Sequence, residues 1–274
     1  MTEFATSVLP TAIAAAEAAA EVHRRHATRM ARTGISEATE KGRADYVSAV
    51  DVEAEEVCLG IIRERFPDHA ILAEETHAED SEYDLSPDVP TWIVDPLDGT
   101  ANYLHGHPMY ASSVAVAVDG HPVAGAVVAA ATGERWTAAH GSGAWKNGKR
   151  IHVSTIESLG RAMVGTGFPF KVQWAVPEYV EQLGRVLGAA AGIRRCGAAA
   201  LDLCYLASGR LDAFWELFLS PWDYAAGWII VEEAGGILSR VDGSPLTTTP
   251  GSVLGANSGG MLDELERLVR RPGS

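Results

Sequence analysis

The sequence predicts a layered protein of mixed helices and strands, an α/β or α+β fold. Segments with helical apolar spacing alternate with short β-branched runs along 274 residues. A three-strand meander near the middle breaks that alternation, and no apolar run is long enough to span a bilayer. A chain of this length buries a large core, as one domain or as two tightly fused halves. A change of style near residue 155 suggests halves of 1–154 and 155–274.

Residues 8–30 are Ala-rich, with no Gly or Pro after Pro10, and read as a helix. Residues 33–44 are polar and carry two glycines, which reads as a loop. A short extended segment, Tyr46–Val50, leads to Asp51 at the start of a second helix, whose apolar positions Ala54, Val57, Cys58, Ile61 and Ile62 precede a stop at Pro67. Ala70–Ala73 is a buried strand that runs into Glu74-Glu75, and the segment from His77 to Asp88 is acidic. Thr91–Val94 is the next strand. Residues 111–118, 123–131 and 135–140 form the meander, with turns at Asp119-Gly120 and Thr132-Gly133, and Asn147-Gly148 marks a further hairpin. The Gly143–Arg150 stretch has a nucleotide P-loop's glycine and lysine spacing. It fails as one, because Arg150 stands where Ser or Thr is required and hairpins flank it.

Beyond residue 155 the pattern is strand 162–165, helix 178–191, a brief strand at 193–195 and a small-residue helix at 198–208 closed by Gly209. A strand at 211–217, a long apolar helix from Pro221 to Ala234, strands at 237–241 and 252–256, and a final helix at 262–270 complete it.

A formal charge of −14, from 22 basic and 36 acidic residues, disfavours nucleic acid or an anionic membrane as partner. It also means that an anionic substrate needs local help from cations or backbone dipoles. Cys58, Cys196 and Cys204 have no metal spacing and read as small hydrophobes. The first residues lack a basic start and apolar core, so the expected location is cytoplasmic.

Four acids share one local character. Glu74, Asp95, Asp98 and Asp223 each fall at a strand end or helix start, where side chains reach the edge of a sheet. If they meet, their charges repel unless cations lie between them, and Mg²⁺ suits an all-oxygen set. Gly99 and Thr100 follow directly; their N–H groups can cradle a phosphate, or can simply form a turn. Bland readings stand beside this one: Asp51, near a helix start, as a cap, and Glu74 and Glu75 as a solvated loop start. His105 and His107 lack partners at zinc spacing and read as loop residues.

Asp95-Pro96-Leu97-Asp98-Gly99-Thr100-Ala101-Asn102-Tyr103, together with Trp222-Asp223-Tyr224-Ala225-Ala226-Gly227 and Glu233-Ala234-Gly235-Gly236, resembles the signatures of the inositol monophosphatase family over essentially the whole chain. Glu74-Glu75 after a strand and Val47–Asp51 fit as weaker matches. The resemblance implies an α-β-α-β-α sandwich and Mg²⁺-dependent hydrolysis of a small phosphate monoester by in-line attack of an activated water. It implies two or three Mg²⁺ per site: Glu74, Asp95 and the Leu97 carbonyl holding the first, and Asp95, Asp98 and Asp223 the second. Asp51, Thr100 and Glu74 would be catalytic, with Asp51 and Thr100 as the water-activating pair. Asp98, Gly99, Thr100, Ala199, Glu216 and Asp223 would contact substrate, and Lys41 matches a basic residue of a mobile loop. The resemblance also implies a homodimer and a small phosphorylated metabolite, myo-inositol monophosphate first. Histidinol phosphate, fructose 1,6-bisphosphate and a nucleotide-derived 3′-phosphate are alternatives, and a metal- or protein-binding module without catalysis is a different class. Ser48 and Tyr103 stand for the usual Thr and Phe. Phe218 stands where Gly is usual, two residues after Glu216, and bears on which alcohol the site accepts.

Overall fold

Two sheets and the helices that cover them stack as five layers in the computed structural model, which describes residues 1–42, 45–77 and 89–270. The first outer layer is α1 (Thr2–Glu37) with α2 (Ala49–Arg65), beside a small ribbon of β1 (Thr39–Gly42) and β2 (Asp45–Val47). Next comes a seven-stranded sheet made in order by β3 (Ala70–Ala73), β4 (Thr91–Asp98), β5 (Ala111–Val118), β6 (His121–Ala129), β7 (Glu134–Ala139), β8 (Ala144–Lys146) and β9 (Lys149–Arg150). Only the β3–β4 pair is parallel. Between β4 and β5 lies the short helix α3 (Thr100–Leu104).

Residues 163–269 supply β10 (Met163–Thr166), α4 (Val176–Ala189), β11 (Gly192–Arg194), α5 (Ala199–Ala207), β12 (Ala213–Leu219), α6 (Pro221–Glu233), β13 (Ile237–Ser239), β14 (Gly251–Ala256) and α7 (Gly259–Val269), and five of these elements form a second sheet. Its five strands run in the order β11-β10-β12-β14-β13, with β14 antiparallel to both neighbours. Helices α5 and α6 fill the middle layer between the sheets, and α4 with α7 closes the far side.

Period-two alternation explains how the first sheet serves two cores. Trp92, Val94, Val114, Val116, Ala124, Ala126 and Val128 point toward α1 and α2. Ile93, Ala115, Ala117, Val127 and Ala129 point toward α5 and α6. A Cβ on Gly125 would come within 2.9 Å of the Ala226 backbone, so the absent side chain lets α6 settle on β6. The predicted hairpins form as expected: Asp119-Gly120 and Asn147-Gly148 both take positive φ at each residue. The hairpin of β8 and β9 occupies the P-loop-like stretch, in agreement with its rejection.

Three expectations change. The first helix begins at Thr2 and passes through Pro10, because its buried stripe of Ala5, Val8, Ala12, Ala15, Ala16 and Ala19 spans the proline. Packing along that stripe outweighs one missing N–H. The same helix continues to Glu37, through half of the predicted loop, with Gly34 pressed against the Leu104 backbone. And β4 does not stop at Val94; it continues to Asp98, fully buried. The Lys41 side chain and residues 78–88 of the acidic segment lie outside the described residues. No helix among those described is long and apolar enough to cross a membrane.

Candidate active site

Strand β4 delivers the central acids. Its pairing with β5 is regular to Asp95↔Ser113, then shifts before Asp98↔Ala111. That irregularity holds Pro96-Leu97 as a bend and puts Asp95 and Asp98 together at the strand end. The Leu97 N–H donates to Asp95 Oδ1 at 2.9 Å, which fixes the bend. Gly99 then turns the chain into α3 at φ 87°, and a Cβ there would meet the Met109 carbonyl at 2.8 Å. No L-residue with a side chain fits both demands.

Two other site acids complete capping boxes at helix starts. Ser48 begins α2, and its N–H donates to Asp51 Oδ2 at 2.8 Å while its hydroxyl donates to the same oxygen at 2.6 Å. Asp51 is thus the third residue of a capping box, not the cap itself. Its other oxygen accepts the Thr100 hydroxyl at 2.9 Å. Asp223 repeats the arrangement on α6, where its Oδ2 accepts the Ser220 N–H at 2.7 Å. The bland reading of Asp51 and the functional one describe the same carboxylate, one oxygen for each.

A cavity of about 680 Å³ brings these parts together. Glu74, Asp95, Leu97, Asp98, Gly99, Thr100, Ala199, Glu216 and Asp223 all line it, and Asp51 stands just behind Thr100. Asp98 has a structural task as well: its Oδ2 accepts the Ala200 N–H at 2.8 Å and so caps the start of α5, 102 residues along the chain. Asn102 ties the loop before α5 to α3 and the segment after it by donating to the carbonyls of Met109, Cys196 and Gly197 at 2.7 to 3.2 Å.

The acids resist ionisation together. Burial and then the neighbouring Asp223 and Glu75 push Glu74 up to about 8. Burial followed by Glu74, Asp98 and Asp223 holds Asp95 well above the usual carboxylate range. Burial and Asp223 raise Asp98 to about 8. Glu216 is raised by burial, then Asp202 and Asp223, with Arg195 opposing. Mutual repulsion of this kind is what bound cations relieve. Among the described residues, no three His, Cys, Asp or Glu side chains already converge as a finished metal site. The all-oxygen donor set fits hard cations by its chemistry and shared wall, and the implied ligand sets are not preformed.

Three cavity residues, and a glycine packed behind a fourth, carry no motif. Lys171 and Arg195 bring positive charge to an acidic wall. Arg195 lies over the Phe168 and Phe170 rings at 5.1 and 5.3 Å. Phe170 is itself part of the lining. Gly167 matters by absence, since a Cβ there would overlap the Glu216 carboxylate. The doubled arginine before Gly197 and the glycine before Phe168-Pro169 were the available signals. His105 and His107 are exposed loop residues, as expected; His105 Nδ1 pairs with the Ala101 carbonyl.

Comparison with known proteins accounts for this arrangement. A model of the inositol monophosphatase family matches residues 5–271. The Nus factor SuhB of Pseudomonas aeruginosa is 40% identical over 234 residues, covering 83% of this chain and 84% of that one. Inositol-1-monophosphatase of Rhizobium meliloti is 40% identical over 232 residues, 85% of each chain. The solved structure of extragenic suppressor protein suhB from Bartonella henselae superposes with a TM-score of 0.87 at 35% identity, covering 97% of this chain and 99% of that one. Fold and kinship define a phosphoric monoester hydrolase built as an α-β-α-β-α sandwich. The chain belongs to the inositol monophosphatase family, as its two long motifs foretold.

Proposed function

We propose that this phosphatase hydrolyses a small phosphate monoester, foremost myo-inositol monophosphate, with Mg²⁺ as cofactor. The observation that carries the reading is the Thr100–Asp51 hydrogen bond of 2.9 Å beside the Asp95–Asp98 bend. Burial lifts Asp51 to about 6, against hydrogen bonds from Ser48 and Thr100 that lower it, so it sits where a general base works near neutrality. The Thr100 hydroxyl can donate to Asp51 or to the Leu97 carbonyl at 3.0 Å; the charged acceptor is the stronger partner. With its proton on Asp51, the Thr100 oxygen is left to accept from an attacking water, orient it and pass its proton toward the carboxylate.

Glu74, Asp95, the Leu97 carbonyl, Asp98 and Asp223 would hold two or three Mg²⁺. Bound there, the cations would offset the clustered negative charge and polarise the phosphoryl group and its attacking water. Gly99 and Thr100 offer backbone N–H groups to phosphate oxygens. Glu216 would accept substrate hydroxyls, its carboxylate occupying the room that the bare backbone of Gly167 leaves, and Ala199 borders the same space. A homodimer in the cytoplasm, with halves at 1–154 and 155–274, completes the reading.

The test is phosphate release across a panel of esters, with and without Mg²⁺. Asp95→Asn should lower kcat by about two or more orders of magnitude with little change in the thermal midpoint, because Asn keeps the shape and the acceptor for the Leu97 N–H. Near wild-type turnover in that variant overturns the assignment. Preference for histidinol phosphate or fructose 1,6-bisphosphate would move the substrate within the enzyme class. Metal binding without turnover of any ester would favour a non-catalytic binding module.

A further inference from the structure

The cavity wall carries an aromatic side chain, Phe218, that the hydrolytic machinery does not use, and a second ring packs against it. Phe218 lies in a bulge of β12: Glu216 pairs with Val253 and Leu219 with Gly251, so one extra residue is accommodated between them. Its backbone is left-handed, φ 60°, one of only a few non-glycine residues in that region among those described. Such a conformation is costly for a residue with a large side chain and persists where the surrounding structure demands it. The chain holds a large aromatic ring at this left-handed position.

That ring is 43% exposed and meets Trp174, 73% exposed, edge to face at 5.4 Å and 77°. Trp174 comes from a short 3₁₀ turn, Gln173–Ala175, in a different part of the chain. Phe218 lines the main cavity, and both rings line an adjoining hollow of about 380 Å³. Glu216, two residues away, supplies a polar wall of the main cavity. A hydroxyl acceptor and the Phe218 ring in one cavity, with Trp174 beside that ring in the adjoining hollow, suit an alcohol that is polar at its rim and flat on its face.

We propose that Phe218, braced edge to face by Trp174, forms a platform that stacks on the ring of a cyclic alcohol, so that it selects ring-bearing phosphate esters over acyclic ones. The inference rests on the phosphatase reading: phosphate at Gly99–Thr100, hydroxyls toward Glu216 and one ring face against Phe218. Aromatic rings stack on the C–H faces of cyclitols and sugars as well as on planar rings, whereas an acyclic polyol offers no such face.

The test compares kcat and KM for myo-inositol 1-phosphate and glycerol 3-phosphate in the wild type and in Phe218→Gly, Phe218→Tyr and Trp174→Ala. Phe218→Gly relaxes the left-handed backbone, so the variant should fold. KM for the cyclic ester should rise roughly three- to tenfold, with kcat moved far less. The cyclic-to-acyclic ratio of kcat/KM should fall by the same factor, and Phe218→Tyr should restore it. Equal changes for both esters, or none, overturn the platform. If the wild type hydrolyses no ester, the phosphatase reading fails, and the platform is judged by binding alone. Inositol 1-phosphate should then quench a fluorescence component that Trp174→Phe removes and glycerol 3-phosphate leaves untouched. Fluorescence that responds only to protein concentration would assign the rings to self-association and overturn the proposal.

Discussion

Replacing His23 with leucine should make the protein more tolerant of acid, by an amount that can be worked from its surroundings. His23 is fully buried on α1 between the Tyr103 and Tyr110 rings, at centroid distances of 5.7 and 5.9 Å. Neither ring nitrogen has a hydrogen-bond partner, although the Pro96 backbone lies close enough to favour the protonated form slightly. Burial dominates and drives the imidazole from 6.5 down to about 3. Above pH 6.5 the ring is neutral in both the folded and unfolded chain, and its stabilising effect is fully present. Below 6.5 the unfolded chain takes up a proton that the folded chain refuses, so stability falls by about 1.4 kcal/mol per pH unit until the folded value is reached. His23→Leu removes that loss and also two unsatisfied nitrogens, worth about 1–3 kcal/mol at neutral pH before any repacking cost. Urea denaturation of both proteins at pH 7.5 and 5.5 reads the difference. The gap in favour of the variant should widen by about 1.4 kcal/mol at the lower pH. Comparing variant with wild type matters, because Glu74 and Asp98, raised to about 8, add stability as they protonate and slope the other way. A gap that stays constant between the two pH values would refute the reasoning.

Three further outcomes probe other parts of the molecule. Thr100→Ser should keep most phosphatase activity and Thr100→Ala should lose about 10²–10⁴-fold in kcat, since the hydroxyl between Asp51 and the cavity is what the reading requires; equal activity in the two variants would contradict it. Gly167→Ala forces the Glu216 carboxylate aside and should raise KM for polyol phosphates while leaving the thermal midpoint within a few degrees, as steady-state kinetics and a melt would show. Glu233→Ala strips acceptors from the Gly141 and Gly143 N–H groups, both at 2.7 Å, and should lower stability by about 1–3 kcal/mol in denaturant titration with kcat little changed.

That last residue shows how a motif can mislead about purpose. Glu233 belongs to a family signature, yet it ties the loop before β8 to the end of α6, away from the cavity. Asp51 shows the converse: a cap by local pattern, and through its second oxygen a partner of Thr100, 49 residues away. Neither outcome follows from spacing along the chain.

The sequence alone determined the class of elements, the meander with its turns, and the acid-rich bend at Asp95–Thr100. Those features are local: apolar period, turn residues and the chemistry of neighbouring side chains act over a few residues. It also determined the family, because two long motifs in order leave little room for chance. Tertiary structure decided what depends on distant parts meeting. It carried α1 through Pro10 and past Gly34, because packing against the first sheet outweighs local propensity. It brought Glu74 and Asp223 to one wall, where burial and like charge raise Glu74 with Asp95 and Asp98 in a way no isolated acid would show. And it set Gly167 under Glu216 and Phe218 against Trp174, contacts made by the approach of separate strands and turns rather than by any neighbour in sequence.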